Sequence, residues 1–415
     1  MLSVKTVFLR MENKIERLTV EAVELLREMI AIPSPSFEED AVCDHISKWL
    51  TDHGVEHRRV GNNVIAEHIV DPARPTLMLC AHMDTVSPSP EYSFDPYKPE
   101  NCPEDMVQGL GSNDDGASVV SMIAAYRYLN GSFTDYRGVK NRATPLAAGV
   151  VSDKQTALWA FAANSCSEGV GGVVFNTPIV GERIRIPNLI LVLTCEEERS
   201  GKNGMTGLWP ELAKKVDFAI VGEPTGMKAA TSERGLLVID ATAHGVSGHA
   251  ARNEGENALY KAMADIEKLR SHVFEKISPR MGKVNLNVTQ IKAGSAHNVV
   301  PDRCDFVIDI RPTEQYSNEE ILNEIQEICT SELKPRNLAN RSSATFENSP
   351  LQKAAEALGI ETFSSPTTSD WMRITCDAIK MGPGESSRSH KKDEFVFVEE
   401  IRNGIKTYIE FINKL

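Results

Sequence analysis

Three continuous apolar runs, each ending in charged side chains, restrict the fold of this chain more than any other feature. They are TLMLCAHMD (76–84), NLILVLTCEEE (188–198) and DFAIVGEPT (217–225). A strand that is apolar on both faces is typical of a parallel sheet covered by helices. Amphipathic stretches with helical spacing lie outside these runs, for instance at residues 17–31 and 116–129. The alternation predicts an α/β fold with a mostly parallel sheet flanked by helices.

The pattern changes after residue 230. Residues 231–337 contain a strand, a long helix, two alternating strands and another helix, which is typical of a small α+β domain with an antiparallel sheet. Short α/β pieces return at 338–415, so we predict that this segment joins residues 1–230 in one domain, into which 231–337 is inserted. Residues 132–187 lack clear periodicity, and we expect an atypical insertion there: a lid, an extra hairpin or a poorly ordered segment.

Composition excludes several functional classes. The 415 residues carry a net charge of −13, which makes a nucleic-acid backbone an improbable partner. The eight cysteines form no CxxC pair, so neither a disulfide scaffold nor a thiolate zinc knuckle is expected. No apolar run is long enough to span a bilayer, and the opening MLSVKTVFLR lacks the apolar core and cleavage site of a signal peptide. We therefore expect a cytoplasmic protein without a membrane partner.

Metal-binding side chains gather where the apolar runs end. His82 and Asp84 follow the first run, residues 196–198 the second, and Glu223 the third, while the loop GLGSNDDG (109–116) precedes a predicted helix. The carboxyl ends of parallel strands meet at one edge of the sheet, where ligands bind. Carboxylates crowded at such an edge repel one another unless cations lie between them. Bound divalent cations are therefore the simplest explanation of the pattern.

Each motif also has an ordinary explanation when it is taken alone. An HxD pair, a triple Glu, the acids of GLGSNDDG and a Glu before Pro are common as surface pairs, helix starts, helix caps and turns. His390, in SSRSHKKDE, has the surroundings of a solvent-exposed histidine. A dinucleotide loop fits GLGSNDDG poorly, because the third Gly of GxGxxG is replaced by Asp114, which would repel a pyrophosphate. Only as a set do these residues indicate a metal site.

The ligand types indicate which metal the site takes. Two imidazoles and three carboxylates without a thiolate suit zinc, with cobalt or manganese as alternatives. A carboxylate that bridges two cations leaves a position for water, and a neighbouring carboxylate can act as its general base. The sequence therefore predicts a hydrolase with two metal ions.

Seven motifs occur in an order that resembles the di-zinc metallopeptidase and deacylase family. This family includes acetylornithine deacetylase, succinyl-diaminopimelate desuccinylase, aminoacylase and carboxypeptidase G. The resemblance covers nearly the whole chain except residues 1–16 and 132–187, and it is greatest to the acetylornithine deacetylase branch. The motifs are AHMDTV, GLGSNDDGAS, TCEEERSG, VGEPT, GVSGHAA, HNVVPD and GPGESSRSH.

The resemblance implies a role for each residue of the predicted metal site. His82 and Glu223 would bind one zinc, Glu198 and His390 the other, and Asp114 would bridge the two ions. Glu197 would be the general base, and Asp84 would orient His82. A cis peptide bond is expected between Asp114 and Asp115. The chain departs from many relatives at Glu196, where they have Asp, which leaves the register of the three acids less secure.

The resemblance also implies that residues 231–337 form a homodimer and act as a lid. His249 would reach the active site of the partner subunit and stabilise the oxyanion, although it could also be a capping residue of the lid. Asn298 and Arg311 would bind the substrate carboxylate, and Arg311 is equally compatible with a structural role. Arg388 could pair with a succinyl carboxylate and Asp370 with a cationic side chain, or both could simply be solvated.

The implied activity is hydrolysis of the Nα-acyl amide bond of an amino acid. N-acetyl or N-succinyl derivatives of ornithine or citrulline, in arginine biosynthesis, are the expected substrates. Succinyl-diaminopimelate hydrolysis and dipeptide or carboxypeptide hydrolysis are alternatives with the same chemistry. A non-catalytic dimer that binds amino-acid derivatives is the alternative of another class. The complete set of ligands and base favours the enzyme.

Overall fold

A nine-stranded mixed sheet is the centre of the molecule in the computed structural model, which describes residues 4–133, 187–252 and 254–415. Both faces of its central strands are buried, as the apolar runs predict. The strand order is β1 (Arg58–Val60), β2 (Asn63–His68), β5 (Asn188–Thr194), β3 (Thr76–His82), β6 (Phe218–Val221), β16 (Asp377–Lys380), β7 (Ala229–Glu233) and β14 (Ser343–Ala344), with β15 (Thr362–Ser365) also paired to β7.

The four strands at the middle of this sheet, β5, β3, β6 and β16, are parallel to one another. Antiparallel strands extend the sheet on both sides, where β2 pairs with β5 and β7 pairs with β16. The mostly parallel sheet predicted from the sequence is therefore confirmed. Its parallel part brings the carboxyl ends of β3, β5 and β6 together at one edge.

Helices cover the two faces of the sheet. Leu77 and Leu79 of β3 belong to a large apolar core on one face, and Met78 and Cys80 to a smaller core on the other. α4 (Met205–Leu212) contributes to the smaller core. The larger core includes side chains from α1 (Val4–Ile30), α2 (Asp40–Asp52), α3 (Ala117–Leu129), α7 (Pro350–Ala357) and α8 (Val398–Ile412).

A second sheet, with four antiparallel strands in the described residues, lies within residues 231–337. α5 (Ala258–Ser271) and α6 (Asn318–Ile328) pack on its apolar face around residues such as Ile239, Phe306 and Ile325. We call this sheet and its helices the α+β unit. Its strand order is β10 (Asn285–Ala293), β12 (Arg303–Arg311), β8 (Leu237–His244) and β13 (Glu332–Pro335).

Two short strand pairs connect loops that carry residues predicted to act in the metal site or on the substrate. β4 (Met106–Gln108) pairs with β17 (Phe395–Phe397), and β9 (Gly248–His249) pairs with β11 (Val299–Val300). The predicted insertion at 132–187 lies almost wholly outside the described residues, and the predicted domain boundaries stay a prediction. No helix in the described ranges has both the length and the apolar character needed to cross a bilayer.

Candidate metal centre

The predicted ligands meet at the carboxyl edge of the parallel strands. His82 is the last residue of β3, Glu197 begins a short helical turn three residues after β5, and Glu223 lies two residues beyond β6. Asp114 lies in the loop before α3, and its peptide bond to Asp115 is cis, as expected. We call the following six residues the metal cluster: His82, Asp114, Glu197, Glu198, Glu223 and His390.

Asp114 lies between the two imidazoles. Its Oδ1 is 3.2 Å from Nε2 of His82, and its Oδ2 is 3.6 Å from Nε2 of His390. His390 Nε2 is also 3.0 Å from Oε1 of Glu198. A carboxylate that offers one oxygen to each side has the arrangement needed to bridge two cations.

Two overlapping groups of side chains in the described residues have the compactness of a metal site. The ligand atoms of His82, Glu197 and Glu223 all lie within 4.8 Å of one another, and so do those of His82, Asp114 and Glu198. The first group includes Glu197, the predicted base, whose Oε2 is 3.9 Å from Nε2 of His82. Distance alone therefore does not separate the base from the ligands.

The four carboxylates of the metal cluster carry more negative charge than its two imidazoles can balance. Burial raises the pKa of Glu197 well above its usual value. The nearby carboxylates of Glu223 and Glu198 raise it further, whereas His82 lowers it. Burial also raises the pKa of Glu223, and Asp114 adds to it. Divalent cations would remove this repulsion and favour the ionised acids, so the residues present fit a metal centre.

Both imidazoles of the cluster favour a proton when no cation is bound. Burial alone would lower the pKa of His82, but hydrogen bonds to Asp114 and Asp84 raise it well above its usual value. The hydrogen bond to Glu198 raises the pKa of His390 to about 9. Nε2 of each imidazole faces a carboxylate oxygen, and a cation takes the place of the proton between them when these groups become ligands.

Asp84 has a second role that the sequence did not reveal. Nδ1 of His82 is 3.0 Å from the backbone carbonyl of Asp84 and 3.4 Å from its Oδ1. The fully buried carboxylate accepts the backbone N–H of Glu197 at 3.0 Å and that of Glu198 at 3.1 Å. A hydroxyl hydrogen bond from Ser36, 2.7 Å long, completes its partners. Asp84 thus holds the turn that carries the two glutamates as well as lying beside His82.

Glu394 is a residue of the site that the sequence analysis missed. Its buried carboxylate accepts backbone N–H groups from the loop that carries Asp114. Burial raises the pKa of Glu394 to about 7, and the Asp114 charge adds to this effect, whereas the backbone N–H groups oppose it. A glutamate four residues after His390 in a charged segment carries no pattern that would have revealed this contact.

Two residues with predicted substrate contacts have partners within the chain. Arg388 forms hydrogen bonds of 2.7 and 2.9 Å to Glu400 and lies over the ring of Phe395, so its guanidinium is already paired. Asp370 is buried and accepts a 2.7 Å hydrogen bond from the Thr194 hydroxyl, and its contact with a cationic substrate side chain stays a prediction. The sequence shows the charge of such residues but not the partner that folding brings to them.

The predicted residues of the α+β unit and its loops lie apart from the cluster in the described contacts. Arg311 pairs with Asp309 through hydrogen bonds of 2.8 and 3.0 Å, which favours the structural alternative. His249 and Asn298 are both exposed next to the β9–β11 pair, where the N–H of Ala250 bonds the carbonyl of Asn298 at 3.1 Å. Their predicted roles would need a partner subunit.

Comparison with known proteins shows what the chain is similar to. Residues 231–337 match the M20 peptidase dimerisation domain, and residues 63–141 match peptidase family M28. A succinyl-diaminopimelate desuccinylase from Wolbachia pipientis subsp. Culex pipiens is 23% identical over 421 residues, covering 95% of this chain and 93% of the relative. The chain therefore resembles proteins of the M20 metallopeptidase family. An acetylornithine deacetylase from Myxococcus xanthus is 27% identical over 269 residues, covering 58% of this chain and 68% of the relative.

Solved M20 structures share the fold. A tripeptidase from Staphylococcus aureus superposes with a TM-score of 0.68 at 18% identity, and an M20 metallo-carboxypeptidase from Sulfolobus solfataricus with 0.66 at 15%; both cover 95% of this chain and 98% of the other. A dinuclear metal binding peptidase from Bacillus subtilis has a TM-score of 0.64 at 14% identity, covering 96% and 98%. The chain therefore has the α/β fold of these structures.

Proposed function

We propose that this protein hydrolyses the Nα-acyl amide bond of an amino acid. The observation that carries the proposal is the convergence of two imidazoles and four carboxylates at one edge of the sheet. A binding protein without catalytic activity would have no need for a complete set of ligands together with a base. Metal-dependent hydrolysis is the activity that the similarity to M20 proteins supports, whereas the bond that is broken and the substrate are our proposal.

We assign the metal ligands as the sequence predicts, with zinc as the metal and cobalt or manganese as alternatives. His82 and Glu223 would hold one ion, Glu198 and His390 the other, and Asp114 both. When bound, two such cations lower the pKa of water and polarise a carbonyl group. The raised pKa values of Glu197 and Glu223 support this assignment, because they mark a place where positive charge is needed.

Glu197 is the general base in this proposal. Its carboxylate accepts a proton from the attacking water while the water oxygen bonds to the carbonyl carbon. The same carboxyl group then donates the proton to the nitrogen of the leaving amine as the C–N bond breaks, which releases acetate or succinate and the free amino acid. The hydrogen bond from its backbone N–H to Asp84 at 3.0 Å fixes its position for both transfers.

We propose that the active form is a homodimer that associates through residues 231–337. The family model that matches this segment supports the proposal. Strand β10 lies at the edge of its sheet, and Tyr260 and Met263 of α5 are 67% and 55% exposed, so an apolar surface and unpaired backbone groups are available. His249 and Asn298 of one subunit would then serve the site of the other. The cytoplasmic location stays a prediction.

Two substrate classes follow from the comparisons. The sequence resemblance favours N-acetyl or N-succinyl derivatives of ornithine or citrulline, and a role in arginine biosynthesis is part of this proposal. Relatives named succinyl-diaminopimelate desuccinylase match 92% to 95% of this chain and favour that substrate as the second candidate. Arg388 pairs with Glu400, so the selection of a succinyl group by this residue stays a prediction.

A substrate panel distinguishes these candidates. The protein, loaded with zinc or cobalt, is assayed for amine release from N-acetyl- and N-succinyl-ornithine, the matching citrullines, N-succinyl-diaminopimelate and a dipeptide. We expect release from at least one N-acyl amino acid, at a rate well above that from the dipeptide. Two bound metal ions without amine release from any member would contradict the proposal and favour a binding protein.

A further inference from the structure

Two loops that carry predicted ligands are joined through a buried carboxylate. Glu394 follows His390 by four residues, and its side chain reaches the loop that contains Asp114. Oε1 of Glu394 accepts the backbone N–H groups of Asn113 and Asp114, both at 2.9 Å, and Oε2 accepts that of Gly111 at 3.2 Å. Glu394 is only 2% exposed, so these three donors replace the water that a carboxylate would otherwise bind.

The contact is reciprocal, because the side chain of Asn113 binds the other loop. Oδ1 of Asn113 accepts the backbone N–H of Glu385 at 2.9 Å. Its Nδ2 donates to the carbonyl of Glu385 at 3.2 Å and to the hydroxyl of Ser389 at 3.3 Å. Each loop therefore uses one side chain to fix the backbone of its neighbour.

Close packing at this junction leaves little room for adjustment. A Cβ atom on Gly384 would lie 2.4 Å from Oδ1 of Asn113, and the backbone of Gly384 has a φ of +84° that disfavours other residues. Asn113 itself is fully buried. These buried hydrogen bonds therefore join the two loops, next to the strand pair β4–β17 and the backbone hydrogen bond from Gly109 to Glu394.

We propose that Glu394 is a positioning residue that sets the separation of Asp114 and His390. Nε2 of His390 lies 3.6 Å from Oδ2 of Asp114, and both residues belong to the predicted second metal position together with Glu198. Glu394 touches the backbone of Asp114 and not its carboxylate, so it acts through the geometry of the ligands. This inference rests on the proposed function in that it takes Asp114 and His390 as ligands.

An amide at this position could not make the same contacts as the carboxylate. Both oxygens of Glu394 accept hydrogen bonds from N–H donors. A glutamine has one acceptor oxygen and an NH₂ group that would face either Gly111 or the Asn113–Asp114 pair with donor against donor. The loop would have to move, and Asp114 would move with it.

Metal titration of Glu394→Gln tests the proposal without a substrate. The metal-free variant and the wild type are titrated with cobalt(II), and the number of ions, their affinities and the visible absorption spectrum are recorded. We expect the ion held by Glu198 and His390 to bind about 10- to 100-fold more weakly, with an altered spectrum. The other ion should be weakened less, because it keeps His82 and Glu223. Glu399→Gln is the matched control, since Glu399 is 63% exposed and pairs only at the surface with Arg402.

Glu394→Asp is the second test variant, for the case that the glutamine variant does not fold. It keeps the charge but shortens the side chain, so we expect the ion held by Glu198 and His390 to bind more weakly here as well. Two ions bound to both variants with wild-type affinity and spectrum would overturn the positioning role while leaving the proposed function intact. A wild type that binds fewer than two ions would overturn both, so the two failures are distinguishable.

Discussion

The carboxylates of the metal cluster and those of the α+β unit are balanced in different ways. On β8 and β12 the acids pair with arginines: Asp240 with Arg336 and Asp305 with Arg303. Hydrogen bonds from these arginines lower the pKa values of Asp240 and Asp305. In the cluster, burial raises the pKa of Glu197 well above its usual value, and neighbouring acids add to the shift.

The difference shows where the chain supplies its own cations and where it does not. An acid that faces an arginine is stable as an ion at neutral pH without any ligand. The acids at the sheet edge would need a further positive charge for all of them to be ionised together, and bound metal ions provide it. The predictions below test this contrast, in order of decreasing expected effect.

Replacing Glu197 by Gln should have the largest effect, on turnover. Loss of a general base lowers kcat by about 100- to 10,000-fold, while the ligands and the bound metal remain. Glu196→Gln is the matched control, since the Glu196 side chain faces the backbone N–H of Asn203 at 3.0 Å instead of the cluster. A steady-state assay with metal analysis checks this. A larger loss in the Glu196 variant would show that the register of the three acids is assigned wrongly.

Removal of metal should lower the stability of the protein, and in free energy this effect should be comparable to or smaller than the loss of turnover in Glu197→Gln. A ligand present at 100 to 1,000 times its Kd stabilises the folded state by about 3–4 kcal/mol, so chelation should lower the denaturation midpoint. The acids of the cluster then repel one another again, because their cations are gone. Thermal denaturation with and without a chelator measures the effect. An unchanged midpoint would contradict the view that the cluster depends on bound cations.

Asp265 of α5 should make a pH-dependent contribution to stability. Burial would raise its pKa, but hydrogen bonds from Ser331 and Thr330 lower it below the usual 3.8. Since the folded pKa is the lower one, the stabilisation is present above pH 4 and is lost as the pH falls through the folded pKa. We expect Asp265→Asn to cost about 1–3 kcal/mol at pH 7 and less below pH 4.

Urea denaturation at several pH values measures the difference between the wild type and Asp265→Asn. Glu267→Gln on the same helix is the control, because Glu267 is 64% exposed and should show little effect at any pH. A cost that does not change with pH would mean that the ionised form of Asp265 gives no special stability.

Arg336→Gln should have the smallest effect. Its hydrogen bonds to Asp240, 2.8 and 3.0 Å long, lie at a surface where both side chains are about half exposed. Such pairs contribute less than about 1 kcal/mol, and salt screens them. Denaturation at low and high ionic strength checks this. A loss comparable to that caused by metal removal would contradict the contrast between the two regions.

The fold and the set of candidate metal ligands could be predicted from the sequence, because both depend on local patterns. The apolar runs specify buried parallel strands, and a side chain at the end of such a strand has only one edge of the sheet on which to lie. His82 and Glu223 were located in this way. The first helix is longer than the predicted 17–31, since it begins at Val4 and includes Ile15, which is buried.

Contacts between distant segments could not be predicted from one sequence. Glu394 lies 280 residues from Asp114 along the chain, and no spacing connects them. Arg388 and Arg311 carry the charge expected of substrate-binding residues, but the fold places Glu400 and Asp309 beside them. The role of His249 depends on a partner subunit, so a single chain leaves it as a prediction.

The central claim is that two metal ions bind between His82, Asp114, Glu198, Glu223 and His390. Diffraction at the zinc absorption edge, from crystals grown with zinc, tests it directly because anomalous peaks locate the ions. We predict two peaks about 3.5–4 Å apart, with the carboxylate of Asp114 between them. A single peak, or peaks away from these residues, would contradict the account.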